Sequence, residues 1–391
     1  MITIDEARGI VLRAVRPLPS ETVPIADALG RVLTRDVAAA GDVPPFTNSA
    51  MDGFALLAGP AGRSLVVVGE SRAGRPAERA LGDGEAIRIS TGAVVPAGAD
   101  AVVRVEDTTE SDGHVEIRAA VVQGENLRAP GEDVHAGEQV LSAGTPLGPA
   151  ELGVAVSAGL ADVPCARRPR VAVLATGDEL VEAGAPLAPG QIHNTNGVAL
   201  SALAARVGAE VVVRGTVPDD RDATVAALGG ALDAADVVLV SGGVSVGPHD
   251  HVKPALAGLG VEERFWRVKL KPGKPTWFGV RDEQVVFGLP GNPVSALVTF
   301  VLFAAPALRA LQGAPALPPR RHARLSEPVK QLADREQAVR VHVDERPDGA
   351  LATPTGAQGS HRLSSMLGAG ALAMVPAGEG PATAAELEPL P

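Results

Sequence analysis

The sequence predicts a multidomain α/β plus β protein whose centre is an α/β domain with a mostly parallel sheet covered on both faces. Three observations predict it. Residues 170–312 alternate strand-like apolar runs (RVAVLATG, EVVVRGTV, ADVVLVSGG) with helix-like runs (NTNGVALSALAARVGA, RDATVAALGGALDAA). Residues 46–145 instead carry short β-rich runs (LVVVG, AIRIS, AVVRVE, HVEIRA) broken by Gly, Asp and Pro. At 391 residues the chain is also too long for one ordinary core.

In chain order, Thr3 with Glu6 forms a capping box that opens an amphipathic helix. Residues 1–43 read as mostly helical, with Asp27 to Leu33 as a helical turn or short helix, until Pro44 and Pro45 break the pattern. Residues 44–135 follow as a small antiparallel β lobe, and Pro146 to Gly159 return to helix. A β lobe between two helical stretches reads as an insertion, so 1–43 and 136–167 form one body. The α/β domain occupies 168–314. In it FWRVKL, PTWFGV and QVVFGLP are strands, and NPVSALVTFVLFAAPALRALQG is a long helix. Its most apolar part, Ala296 to Leu308, is shorter than a membrane span and contains Thr299 and Pro306, which favours a buried helix. After the Pro-rich linker Pro315 to Arg321, residues 318–391 alternate as strands of a small β-barrel or sandwich.

Composition narrows the function classes. Hydrophobic residues at 46% and charged residues at 21% suit a globular chain, not a disordered one. A net charge of −11 argues against a nucleic-acid partner. One cysteine, Cys165, permits no intramolecular disulfide and has no nearby His to make it a nucleophile. The N-terminus lacks the apolar stretch of a signal peptide, so a soluble cytoplasmic protein is expected, with no membrane partner.

Ligands of open α/β sheets bind beyond the carboxyl ends of the strands. Five loops are expected at that edge: Thr176 to Glu179, Pro218 to Asp220, Ser241 to Asp250, Lys271 to Pro275 and Leu289 to Pro293. In SGGVSVG, Ser241, Gly242, Gly243, Ser245 and Gly247 can bring successive N–H groups onto an oxyanion, although a plain tight turn is the simpler reading. Arg264, Arg267, Lys269, Lys271 and Lys274 invert the local sign of charge, and alternation puts Arg267, Lys269 and Lys271 on one strand face. Asp178, Glu179, Asp219, Asp220 and Asp250 fall at the same edge, where carboxylates hold Mg²⁺ or position water. Asp250 could instead cap the helix that follows it, and the His249/His251 spacing does not indicate zinc. LPGNP (Pro290, Gly291, Asn292, Pro293) makes a rigid turn with N–H groups at a helix N-terminus. In the lobe, Asn48, Ser49 and Asp52 crowd around Met51, with a β-turn at Asp52-Gly53 as the simpler reading, and Thr91 and Asp133 sit in similar turns.

PPFTNSAMDGFA, RISTGAVVPAGADAVV, PGEDVHAGEQVL, LATGDEL, PGQIHNTN, SGGVSVGPHD, KPGKP, LPGNPVSA and GSHRLSSM run in the order found in molybdopterin molybdenumtransferases, the bacterial relatives of the gephyrin E domain. The chain resembles that family over essentially its whole length. The resemblance implies an elongated helical body, an inserted β lobe, a three-layer α/β/α molybdopterin-binding domain and a C-terminal β-barrel. It implies an enzyme that inserts molybdate into adenylylated molybdopterin and releases AMP. By motif it implies catalytic roles for Asp52, Glu179, Asp250 and Lys271, and substrate contacts from Thr91, Asp133, Asp178, Asp219 or Asp220, Pro290, Pro293 and one of Ser364 or Ser365. Lys271, Lys274 and Arg267 would neutralise phosphate charge, with Asp178, Glu179 and Asp250 as Mg²⁺ ligands. Arg267 stands where the family often has Lys, and its fork suits a different partner geometry. A homodimer with sites shared between subunits is implied, as is an upstream adenylyltransferase partner. Two other readings are a molybdopterin adenylyltransferase, in which SGGVSVG also occurs, and a non-enzymatic pterin-binding scaffold.

Overall fold

The computed structural model describes residues 1–244 and 250–391. The capping box forms as the sequence predicts: Glu6 N–H donates to Thr3 Oγ1 at 3.2 Å, and Thr3 N–H donates to Glu6 Oε2 at 2.8 Å. It opens the helix Ile4–Ala14, whose Ile4, Ala7 and Val11 pack into one core with Phe300 and Val301. The first helix is therefore part of the α/β domain's core.

The mostly helical reading of residues 1–43 is corrected. Beyond Ala14 the chain is extended: Ser20–Pro24 pairs antiparallel with Asp162–Ala166, and Val37–Ala38 with Gln139–Leu141. Only Ile25–Asp27 forms a short 3₁₀ turn, so Asp27 to Leu33 is not a helix. The cause is tertiary: Val23, Leu33 and Val37 close a small core with Leu147, Val163 and Cys165, partners more than a hundred residues away in sequence. Helix returns at Pro149–Ser157. The chain leaves for the lobe and comes back at Val43 and Val134, which bridge each other.

The lobe holds a six-stranded sheet in the order Ala101–Arg104, Gly53–Leu56, Glu85–Ile89, Arg63–Ser71, His114–Ile117 and Thr108–Ser111. It is not wholly antiparallel as expected, because Arg63–Ser71 runs parallel to Glu85–Ile89.

The α/β domain's sheet runs Glu210–Val217, Arg170–Thr176, Val237–Ser241, Gln284–Leu289, Trp277–Arg281 and Glu262–Trp266. The first four strands are parallel, and Trp277–Arg281 runs antiparallel to both of its neighbours, Gln284–Leu289 and Glu262–Trp266. Both faces are buried, and the alternation shows it. Val171, Val173, Val237 and Leu239 enter one core with the helices Thr195–Arg206 and Pro293–Thr299, while Ala172, Leu174, Val238 and Val240 enter another with Arg221–Ala234 and Val252–Gly258. The helical run Pro293–Leu311 is long and apolar enough to cross a membrane, yet 89% of it is buried in the protein, as expected of a core helix. Its middle, Phe300–Ala304, is π-helical and lies just ahead of Pro306.

FWRVKL is not one strand. The strand ends at Trp266, Arg267 takes a left-handed φ of 72°, and pairing resumes at Leu270–Lys271. Arg267 N–H donates to Thr276 O inside this turn. The expected single face of Arg267, Lys269 and Lys271 is therefore broken at Arg267. Leu270–Lys271 instead joins the C-terminal sheet, parallel to Glu336–Gln337.

The C-terminal domain is a closed barrel, not a sandwich. Glu336–Asp344, Leu351–Pro354, Arg321–Lys330, Pro381–Pro389 and Ala371–Val375 follow in order, and Glu336–Asp344 pairs with Ala371–Val375 to close the ring.

Candidate active site

A cavity of about 820 Å³ opens at the carboxyl ends of the parallel strands. Four of the five expected loops line it: Thr176 and Glu179, Ser241 to Val244, Pro275, and Pro290 to Pro293. KPGKP reaches that edge although it precedes its strand. Trp277–Arg281 runs antiparallel to its neighbour, with Trp277 opposite Gly288, so its start lies level with the end of Gln284–Leu289.

Local chemistry fixes these loops. Gly242 and Gly243 adopt φ of 96° and 63°. A Cβ on Gly242 would lie 2.6 Å from Thr176 Oγ1 and 2.8 Å from the Thr176 carbonyl oxygen, so only glycine lets this loop lie on the neighbouring strand end. Asn292 occupies the N-cap position of the helix that begins at Pro293 without a side-chain cap, and Val294 N–H donates to Ser360 O at 3.1 Å. The wall between Leu180 and His193 is held by a parallel pairing of Leu180–Val181 with Ile192–His193.

Thr176, which opens an expected loop, lines the cavity, as do His193, Asn196 and His361, which sequence reasoning passed over. Asn194 caps the helix Thr195–Arg206 by accepting Gly197 N–H at 2.8 Å. Asn196 Nδ2 donates to Ser241 Oγ and to Gly291 O, both at 2.8 Å, tying two cavity loops together. The signal lay in the motifs PGQIHNTN and GSHRLSSM, whose side chains were given no chemistry there beyond the two serines.

Those two serines separate cleanly. Ser365 is buried, accepts from Arg340 Nε and Nη2 at 3.1 Å each, and donates to Arg362 O at 2.7 Å. Arg340 is itself 1% exposed, and burial pushes its guanidinium down to about 10. Ser365 and Arg340 together anchor the loop that carries His361 to the cavity. Ser364 is exposed and does not line it.

The carboxylates divide too. Glu179 lines the cavity. Asp178 Oδ1 accepts Asp219 N–H at 3.0 Å, and Asp220 caps the helix Arg221–Ala234 by accepting Ala223 N–H at 2.8 Å. Asp178, Asp219 and Asp220 therefore build turns and do not line the cavity. Asp250 is not the cap of the helix after it; His251 occupies that position. Among the described residues no three His, Cys, Asp or Glu side chains converge to hold a metal ion, so the expected ligand group Asp178, Glu179 and Asp250 is not preassembled.

The cations are placed otherwise than expected. The Arg267 guanidinium stacks 3.9 Å from the Trp266 ring centroid, and Lys253 Nζ lies 3.7 Å from it. Trp266 Nε1 donates to Val244 O at 3.1 Å, fastening this cluster to the glycine loop. Arg267, Lys271 and Lys274 do not line the cavity. In the lobe, Asp52 Oδ1 accepts Thr91 N–H at 2.8 Å, and Asp133 N–H donates to Val43 O at 3.0 Å. Asp52, Thr91 and Asp133 are exposed, and none lines the cavity of its own chain. Ser245, Gly247 and His249 lie outside the described residues.

A parallel sheet edge with glycine-rich and proline-stiffened loops around one large cavity defines an α/β protein whose ligand site lies beyond the carboxyl ends of its strands. Comparison with known proteins sharpens that class. Residues 2–159 match the family model "MoeA N-terminal region (domain I and II)", 172–310 "Probable molybdopterin binding domain" and 322–386 "MoeA C-terminal region (domain IV)". A molybdopterin molybdenumtransferase of Haemophilus influenzae is 41% identical over 318 residues, 80% of this chain and 78% of the relative. One from Staphylococcus aureus is 33% identical over 96% of this chain and 92% of its own. A crystal structure of a molybdopterin biosynthesis MoeA protein from Pyrococcus horikoshii superposes with a TM-score of 0.82, at 29% identity and 99% coverage of both chains. The chain belongs to the MoeA family of molybdopterin molybdenumtransferases, enzymes of molybdenum-cofactor biosynthesis.

Proposed function

We propose that this protein inserts molybdate into adenylylated molybdopterin and releases AMP. The observation that carries it is the cavity of Gly242, Gly243 and Pro290 to Pro293 inside the region matching a molybdopterin-binding domain, in a chain that also has the matching N- and C-terminal regions.

In this reading the phosphoanhydride between AMP and the pterin phosphate lies over the glycine loop and the Pro293 helix start. Backbone N–H groups of the glycine loop stabilise charge on the phosphate oxygens as the bond to the leaving phosphate breaks. Water supplies the oxygen that replaces that bond and loses its proton to solvent, while molybdate bonds to the two dithiolene sulfurs and one of its oxygens leaves as water with the two thiol protons. Glu179, the carboxylate on the cavity wall, orients the attacking oxygen. Asp52, Thr91 and Asp133 act on the cavity of a second copy in a homodimer; their exposure, away from their own cavity, supports this. An adenylyltransferase hands over the substrate in the cytoplasm, and Mg²⁺ accompanies its phosphates.

The test is AMP release from purified adenylylated molybdopterin, with and without molybdate. Molybdate-dependent release is the expected result. Pyrophosphate from ATP and free molybdopterin, with no AMP release, would assign the protein to the preceding step.

A further inference from the structure

The cavity lacks something its ligands need. Among the described residues that line it there is no Lys or Arg, and Glu179 adds a negative charge. A phosphoanhydride and molybdate are both oxyanions, and an oxyanion drawn out of water needs compensating positive charge.

The lobe carries such charge beside Asp52 and Thr91. Gly53, Ile89 and Ser71 stand level on three adjacent strands. One edge of the lobe's sheet therefore gathers Asp52, which precedes Gly53, the turn at Ser90 and Thr91, which follows Ile89, and Arg72, which follows Ser71. Ser90 N–H donates to Ser71 O at 3.1 Å and ties the last two together. Arg72 and Arg75 then exchange both backbone hydrogen bonds, at 2.9 Å each, around Ala73 and Gly74, where Gly74 takes a φ of 76°. As directly opposed residues of a two-residue hairpin they project their side chains from one face, with Cβ atoms about 5 Å apart.

Like charges placed directly opposite each other destabilise a hairpin. Glu70 pairs with Arg72 at 2.5 Å, whereas Arg75 has no ion pair among the described residues. Both arginines line a concavity of about 700 Å³ that holds three arginines and two glutamates, so its net charge is positive. A local rule broken at an exposed turn, beside groups already assigned to the reaction, points to an anion.

We propose that Arg72 and Arg75 bind an oxyanion held in the cavity of the second copy, either the phosphoanhydride of the substrate or molybdate. The inference rests on the shared-site reading above. The unpaired guanidinium of Arg75 supplies a fork of donors for two of the anion's oxygens, and Arg72 adds charge beside it.

The test measures AMP release by the full-length protein against adenylylated molybdopterin and against molybdate. Arg75→Gln relieves the repulsion in the hairpin, so its Tm should equal or exceed that of wild type. Its KM for one of the two should rise about tenfold or more, as for a lost charge-assisted hydrogen bond, and Arg75→Lys should recover part of the loss. The KM that rises names the oxyanion. Mixed dimers of a Glu179→Ala chain with an Asp52→Ala chain then locate the contact, because their one intact site takes its lobe from the Glu179→Ala chain. Arg75→Gln added to that chain should raise KM, and added to the Asp52→Ala chain should leave it unchanged. Unchanged KM values in Arg75→Gln, or equal effects from either chain, would overturn the oxyanion site alone. Wild-type protein that releases no AMP would overturn the functional reading and the site with it.

Discussion

The α/β domain and the β lobe place their polar residues in opposite ways. In the first, Glu179, Asn196, Ser241 and the Pro290–Pro293 turn converge on one cavity, and side chains of separate loops bond to each other. In the second, Asp52 is bonded within its own lobe to Thr91 N–H, and both residues face outward. A cavity that gathers its groups can bind by itself. An outward-facing set can act only on something brought to it. The proposed division of labour follows: the α/β edge binds, and the lobe of a second copy completes turnover.

Two glycines offer the strongest way to break that division. A Cβ on Gly53 would lie 1.8 Å from Val103 O, in the middle of the lobe's sheet. Gly53→Ala should destabilise the lobe by roughly 3 kcal/mol or more and abolish AMP release, while molybdopterin affinity stays within about threefold. Gly242→Ala should do the reverse first, since its left-handed φ and the Thr176 carbonyl both oppose a side chain. Calorimetry should then show ligand binding weakened by on the order of a hundredfold, with the lobe's amide-exchange protection unchanged. Equal losses of binding in both variants would erase the contrast.

The loop carrying His361 sharpens it at the next level. Ser365→Ala strips a buried guanidinium of its hydroxyl partner and should cost about 2 kcal/mol, read as a Tm lower by several degrees. Ser364→Ala should leave Tm and turnover within error, because that side chain is exposed.

The smallest effect concerns Glu336, at the joint between barrel and N-terminal helix. Burial first, then Asp5, raises its carboxyl above the ordinary 4.5, partly offset by Arg8 and Arg320. An acid raised in the folded state is a penalty that is absent below its unfolded pKa and complete above its folded one. Glu336→Gln should therefore raise Tm slightly at pH 7, with the gain vanishing as pH falls towards 4 in thermal melts.

What was legible in the sequence tracks the range of the forces involved. The Thr3–Glu6 capping box is local, and the structure has it. Val171–Ala175 and Val237–Val240 read as buried strands because both faces are covered, which leaves a continuous apolar run. The pairing of Ser20–Pro24 with Asp162–Ala166 has no local signal, so extended chain was mistaken for helix. Arg267 looked like a strand residue by alternation, but the turn closed by Thr276 O and the Trp266 ring fix it otherwise. Among the acids, Asp178, Asp219, Asp220 and Glu179 looked alike in one dimension. Only their hydrogen bonds separate turn-builders from the cavity carboxylate.

The central claim is that a site joins one subunit's cavity to the other's lobe, and subunit complementation tests it most directly. Glu179→Ala and Asp52→Ala chains, each inactive alone, would be co-expressed with different tags and assayed for AMP release after mixed dimers are formed. With random pairing, half the dimers are mixed and each regains one intact site of two, so about a quarter of wild-type activity is predicted. If each site belonged to a single chain, every site in a mixed dimer would carry a defect, and activity no higher than that of the separate variants would contradict the account.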